Sequence, residues 1–193
     1  MSPSYFIVLL LPLISAQTFH WGGCPDAEVQ DDFQLEEYMG KWYEIEKLPA
    51  YFAEGKCIEA DYLLKKDGTV QVVNSQVVDG ERMAAEGIAK VMDEDEPAKL
   101  GVSFTSFTPY SPYWVLKTDY TNVTVVYSCT DVFNVFHLDY AWILSRSPSL
   151  PEETVQDAKD LLISEGIDVS AMEPTEQDCH EDEDNDSNEE EED

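Results

Sequence analysis

Four cysteines, three histidines and a run of alternating carboxylates are the groups in this 193-residue chain whose types and spacing could do chemistry. Cys24, Cys57, Cys129 and Cys179 contain no CxxC pair, so neither a zinc site nor a thioredoxin-like dithiol is indicated. Their even number, in a chain with an export-like start, points instead to two disulfides, with three pairings open. His20, His137 and His180 are scattered, and nothing in the sequence pairs His137 with a Ser or Cys nucleophile and an orienting acid. No catalytic residue, enzyme activity or cofactor is expected. Asp182, Asp184, Asp186, Asn188 and Asp193 fall at positions 1, 3, 5, 7 and 12 of a calcium loop. However, Ser187 sits where the loop's turn wants glycine, and an Asp replaces the bidentate Glu. A resident metal is therefore not expected. Weak calcium or polycation binding by the acidic end is an alternative role for that segment.

The charge balance narrows the partners. Eleven Lys and Arg stand against 41 Asp and Glu, a formal net charge of −30. Nucleic acid requires a basic footprint, and a direct embrace of anionic headgroups is disfavoured for the same reason. Yet 43% of residues are hydrophobic and 11% aromatic, enough for a sizeable core. The acid is unevenly spread: residues 173–193 hold 13 acidic side chains and no Lys or Arg. Residues 180–193 are expected to be a disordered acidic tail. At the other end, residues 1–16 carry no charged side chain. Their apolar run and the small residues Ser15 and Ala16 read as a secretory signal peptide, with Gln17 the first mature residue.

The elements between these ends are predominantly β. Eight apolar or alternating runs at 41–47, 56–65, 69–77, 83–92, 98–107, 113–120, 123–130 and 137–145 are separated by turn signals, which predicts an antiparallel sandwich or barrel. After Pro148 the period changes. Residues 151–165 have a proline near the start, acid in the first turn, a following glycine and an apolar face of Val155, Ala158, Leu161 and Leu162, so one helix follows the strands. Because residues i and i+2 share a face, Ile58, Ala60, Tyr62 and Leu64 align, as do Val70, Val72 and Asn74. Leu100, Val102 and Phe104 form a third such row, and Leu138, Tyr140, Trp142 and Leu144 a fourth. These faces fit either a small-molecule pocket or a filled core, and periodicity alone does not choose between them. Asn122-Val-Thr124 is a glycosylation sequon in a predicted turn.

Three features, in order, carry a resemblance. Gly40-Lys-Trp42 opens the first of the eight runs, Thr118-Asp119-Tyr120 ends the sixth, and Arg146 ends the eighth. Together they resemble the signature of the lipocalins. The stretches 40–49, 96–100, 112–114, 126–129 and 141–144 resemble one lipocalin nearly residue for residue, over a span of about Gln17 to Cys179. The resemblance implies an eight-stranded up-and-down barrel (residues 17–179) with the C-terminal helix packed outside. It implies that Gly40, Trp42, Thr118, Asp119, Tyr120 and Arg146 are structural, with Arg146 stacked on Trp42 at the closed end. It implies the disulfides Cys24–Cys129 and Cys57–Cys179, and a cavity lined by Tyr62, Asn74, Phe104, Tyr113 and Trp142. It further implies exposed apolar residues in the open-end loops, namely Trp114, Phe133 and Val135, which could meet a membrane or lipoprotein.

The function so implied is a secreted carrier of a small hydrophobic ligand such as a fatty acid, sterol or retinoid, acting as a monomer or weak oligomer. A bilin or carotenoid pigment is the alternative ligand. Expression through a secretory pathway is expected to yield a chain beginning at Gln17, which N-terminal sequencing checks.

Overall fold

Strands of alternating apolar residues bury one face and pair edge to edge until no edge is left. The structure is a computed structural model and describes residues 18–105 and 107–179. The expected signal peptide, the calcium-loop look-alike and the acidic tail lie outside the described residues. The eight barrel strands are β2 (Gly40–Lys47), β3 (Lys56–Leu64), β4 (Val70–Val78), β5 (Glu81–Val91), β6 (Lys99–Ser103), β7 (Ser111–Thr118), β8 (Val123–Val132) and β9 (Phe136–Ser145). Each pairs antiparallel with the next, and β9 pairs back onto β2, with Tyr43 opposite Ser145, which closes the barrel.

Two short strands lie outside the eight predicted runs. β1 (Thr18–Trp21) adds to β9, with His20 opposite His137. β10 (Glu173–Pro174) adds to β2, with Glu173 opposite Lys47. With four and two residues they carry no readable alternation, and tertiary partners hold them. β2 and β3 pair only from Gly40 to Tyr43, and the returning chain occupies the gap above. There Thr175 N–H donates to Ile45 O, Cys57 N–H donates to Glu176 O, and the Gln177 amide donates to both Glu44 O and Ile58 O. The Cys57–Cys179 disulfide holds this segment in place, and Cys24–Cys129 ties the N-terminal arm to β8. Each cross-link closes a loop of more than a hundred residues, which removes chain entropy from the unfolded state.

α1 (Leu35–Tyr38) caps one end of the barrel, and α2 (Glu152–Ser164) packs outside it. α2 buries Ala158 and Leu162 against Tyr127, Ala141 and Ile143 on the outer barrel face. It stops at Gly166, whose positive φ lets the chain turn so that Ile167 N–H reaches Leu162 O. Lys159 forms an ion pair with Glu46 of β2, fixing the helix to the wall.

The closed end is organised by Arg146. Its guanidinium lies over the Trp42 ring at 3.8 Å from the centroid. Its nitrogens donate to five carbonyls: Tyr120 O at 3.0 Å, Lys41 O at 2.7 Å, Met39 O at 2.8 Å, Glu37 O at 3.2 Å and Tyr38 O at 3.3 Å. One side chain thus joins β9, the 119–122 turn, α1 and the start of β2. Gly40 stands beside it with φ at +92°, a backbone conformation that residues carrying a Cβ rarely adopt. Asp119 shapes the turn by accepting from the N–H groups of Thr121, Asn122 and Val123; desolvation pushes its carboxyl up, but these hydrogen bonds together outweigh it and hold it below the usual range. Arg146→Ala is expected to destabilise the fold by about 2–4 kcal/mol, and Arg146→Lys by nearly as much, because an ammonium neither stacks flat nor spans five acceptors. Urea unfolding with the disulfides intact measures both.

Candidate ligand cavity

The interior holds a cavity of about 540 Å³ that reaches down to the closed end, where Tyr38, Trp42, Tyr62, Val72 and Leu100 of the buried cluster line it. That volume lies within the range of small-molecule sites. Small residues on the wall, among them Ala60, Ala85 and Ala89, leave room for it.

The floor is a tyrosine trio. Tyr113 OH lies 2.9 Å from Tyr38 OH and 2.9 Å from Tyr62 OH. Tyr38 is fixed in turn by Trp42, whose Nε1–H donates to Tyr38 O at 2.9 Å. Burial pushes the Tyr38 hydroxyl from 10.0 up to about 12, and it also pushes Tyr62 and Tyr113 up. All three phenols are therefore neutral. Above them the walls carry aromatic and aliphatic groups. Tyr140 and Trp142 stack at 5.7 Å, and Phe52 leans on Tyr140 at 5.3 Å. Asn74 projects into this surface, and its Oδ1 is buried without a hydrogen-bond partner among the described residues.

Two carboxylates stand around the cavity. Glu59 is paired with Lys41 at 3.0 Å and Arg82 at 3.1 Å. Glu44 is almost fully buried, 3.3 Å from Lys47 Nζ, and accepts from Thr175 Oγ1 at 2.6 Å. Burial raises its pKa, although Lys47 and Thr175 pull the other way.

Tyr62, Asn74, Phe104, Tyr113 and Trp142 all line the one cavity, from β3, β4, the end of β6, β7 and β9. Phe133 and Val135 stand exposed in the β8–β9 turn at the open end. Trp114 corrects the sequence reading. It lies within β7 rather than in a loop, and is half-buried on the outer face among the residues packed against α2, with Lys99 Nζ 5.0 Å from its ring centroid. The reason is parity: Tyr113 points inward, so Trp114 must point outward. Asn122 is exposed, and its Nδ2 donates to Asp119 at 3.0 Å.

Sequence reasoning missed Tyr38, which lies in α1 where no strand parity applies. It also missed a polar cluster on the outer wall. Cross-strand pairing stacks His20 on His137 at 5.2 Å, beside buried Asp139, which accepts from Tyr127 OH at 3.1 Å. The His137–Asp139 spacing of two residues was the available signal. The cluster holds no serine or cysteine nucleophile, since Cys129 nearby is disulfide-bonded, and it stands outside the cavity. It joins β1 to the barrel.

A barrel closed at one end, hollow at the other and flanked by one helix defines a class of small-molecule binding proteins. A family model described as Lipocalin-like domain matches residues 33–177, and the chain belongs to the lipocalins. Within that family it is 48% identical to apolipoprotein D of Bos taurus over 179 residues, covering 89% of this chain and 95% of the relative. It is 32% identical to the bilin-binding protein of Pieris brassicae, covering 84% and 88%. Among solved structures it is similar to insecticyanin of Manduca sexta, with a TM-score of 0.72, 31% identity and coverage of 83% and 89%.

The raised tyrosine values set an alkaline limit on the fold. A folded pKa above the unfolded one gives stability that is complete below pH 10.0 and lost as pH rises through about 12. Absorbance at 295 nm is expected to show Tyr38, Tyr62 and Tyr113 ionising only together with loss of near-ultraviolet circular dichroism. Tyr113→Phe should lower the number of phenols ionised in that step by one.

Proposed function

We propose that this protein is a secreted carrier that binds a small hydrophobic molecule inside the barrel. The observation that carries the reading is the mostly apolar cavity of about 540 Å³ inside a barrel that Trp42 and Arg146 close at one end. A ligand entering it leaves water for aromatic and aliphatic walls, gaining about 25 cal/mol per Å² of apolar area buried. Tyr62, Asn74, Phe104, Tyr113 and Trp142 are the proposed contacts, with the Tyr140–Trp142 stack offering a flat face to a ring system or conjugated chain. The similarity to apolipoprotein D over almost the whole length supports the reading. Export is supported by the two disulfides and by the signal-like residues 1–16. Phe107, Phe133 and Val135 lie exposed around the mouth, and we assign them a peripheral contact with a membrane or lipoprotein surface during loading.

A second reading takes a bilin as the ligand, favoured by the similarity to a bilin-binding protein. It predicts a coloured protein when isolated from its own source.

Two measurements test the carrier reading. Nile red, a neutral apolar dye, is expected to brighten on titration with the protein, and Ala85→Trp, which fills the cavity, should abolish this while leaving far-ultraviolet circular dichroism unchanged. Equal brightening with both proteins would overturn the reading. For the sequon, treatment of the secreted protein with peptide N-glycosidase is expected to lower its mass and convert Asn122 to Asp. An unchanged mass would show that Asn122 is unmodified.

A further inference from the structure

We propose that residues 173–179 are a strap over a second way into the cavity, a lateral port between β2 and β3, and that thiol–disulfide exchange at Cys57–Cys179 releases it. This rests on the carrier reading and adds a regulation to it.

The wall is incomplete here without the strap. β2 and β3 pair from Gly40 to Tyr43, opposite Tyr62 to Glu59, and no ladder joins them above that level. The backbone groups left over turn to the strap instead. Ile45 O accepts from Thr175 N–H, Glu44 O and Ile58 O accept from the Gln177 amide, and Cys57 N–H donates to Glu176 O. The closure is one layer of side chains thick. Glu44 lines the cavity on the inner side, while Thr175 and Lys47 line a surface hollow on the outer side. Glu44 meets both directly, at 2.6 Å from Thr175 Oγ1 and 3.3 Å from Lys47 Nζ.

The strap is also fastened differently from the rest of the wall. None of residues 173–179 is buried, so no buried apolar side chain anchors it. Its ion pairs, Lys47 with Glu173 and Lys56 with Glu176, have exposed carboxylates and hold weakly. A segment secured by polar contacts near solvent opens at low cost. The Cys57–Cys179 bond is its covalent anchor. Cys57 sits at a break in the β3–β4 register with φ at +55°, a conformation that a non-glycine residue keeps only where its surroundings impose it. Cutting the bond frees the end of the strap and this backbone together. Cys24–Cys129 is different: it packs in the apolar cluster shared with α2, and β8 stays paired to β9 through Cys129 itself. Its reduction leaves no gap.

The reductant is an external dithiol. One of its thiolates attacks Cys179 Sγ, the less buried sulfur, and expels Cys57 as a thiolate, which takes up a proton. The second thiol of the reductant then displaces Cys179, which is likewise protonated. The protein gains two electrons and two protons, and the dithiol leaves as a disulfide.

Stopped-flow mixing with Nile red measures the port, because a gate speeds entry and exit alike and leaves the equilibrium unchanged. In Cys57→Ser/Cys179→Ser the association and dissociation rates are both expected to rise about tenfold, with Kd within about twofold of the parent value. Cys24→Ser/Cys129→Ser, which keeps the strap, should keep the parent rates. The unaltered protein gives the same comparison through limited reduction with dithiothreitol, trapping with iodoacetamide and peptide mass spectrometry. Cys57 and Cys179 are expected to be alkylated before Cys24 and Cys129, and both rates should rise with that fraction. Unchanged rates once Cys57 and Cys179 are free, a faster exit with unchanged entry, or earlier reduction of Cys24–Cys129 would overturn the port while leaving the carrier reading intact. Failure of the oxidised protein to bind Nile red would overturn both. The reduction series needs no variant, so a folding defect in either double variant does not decide the question.

Discussion

A barrel becomes a container only if one end is shut, and here the Arg146 guanidinium on the Trp42 indole does the shutting. The planar cation covers the aromatic plug from outside while its nitrogens collect carbonyls from α1, β2 and the 119–122 turn. A charge-assisted hydrogen bond is about twice as strong as a neutral one, and here several converge on one rigid fork. Everything deeper in the barrel inherits its position from this contact. Trp42 fixes the Tyr38 carbonyl, Tyr38 meets Tyr113, and Tyr113 meets Tyr62, so the floor is a chain of hydrogen bonds hung from the plug.

The opposite end has the reverse problem, since β2 and β3 separate above Tyr43 and would leave a slot in the wall. The returning C-terminal segment fills it. Gln177 bridges both strands, Thr175 holds Glu44, and the Cys57–Cys179 bond keeps the segment there. The hollow is therefore bounded by covalent and polar fastenings on the outside and by apolar surface on the inside. The lining is mostly apolar and, among the described residues, includes no Lys, Arg or His.

Much of this was legible in the sequence because period-two patterns survive in every long strand. The rows through Tyr62, Asn74, Phe104 and Trp142 pointed to one interior, and the helix of 152–164 announced itself by its proline, acids and following glycine. Other features were not legible, for physical reasons. Alternation reads the same for a filled core and a hollow one, so only the placement of small residues such as Ala60 and Ala85 opens a cavity, and that needs the register. Trp114 fell inside the run 113–120, yet the resemblance put it among the open-end loops; in β7, which begins at Ser111, it turns to the outer face instead. β1 and β10 are too short to carry a pattern. In the His20–His137–Asp139–Tyr127 cluster only the His137–Asp139 spacing was local; His20 and Tyr127 join by cross-strand pairing, which no spacing reveals.

The most direct test of the account is to isolate the protein from its own source, extract it with organic solvent, and identify and quantify what is released by mass spectrometry. The account predicts a small apolar molecule in near-stoichiometric amount. An extract holding no small molecule in stoichiometric amount, from a protein whose cavity also rejects neutral apolar probes, would contradict it.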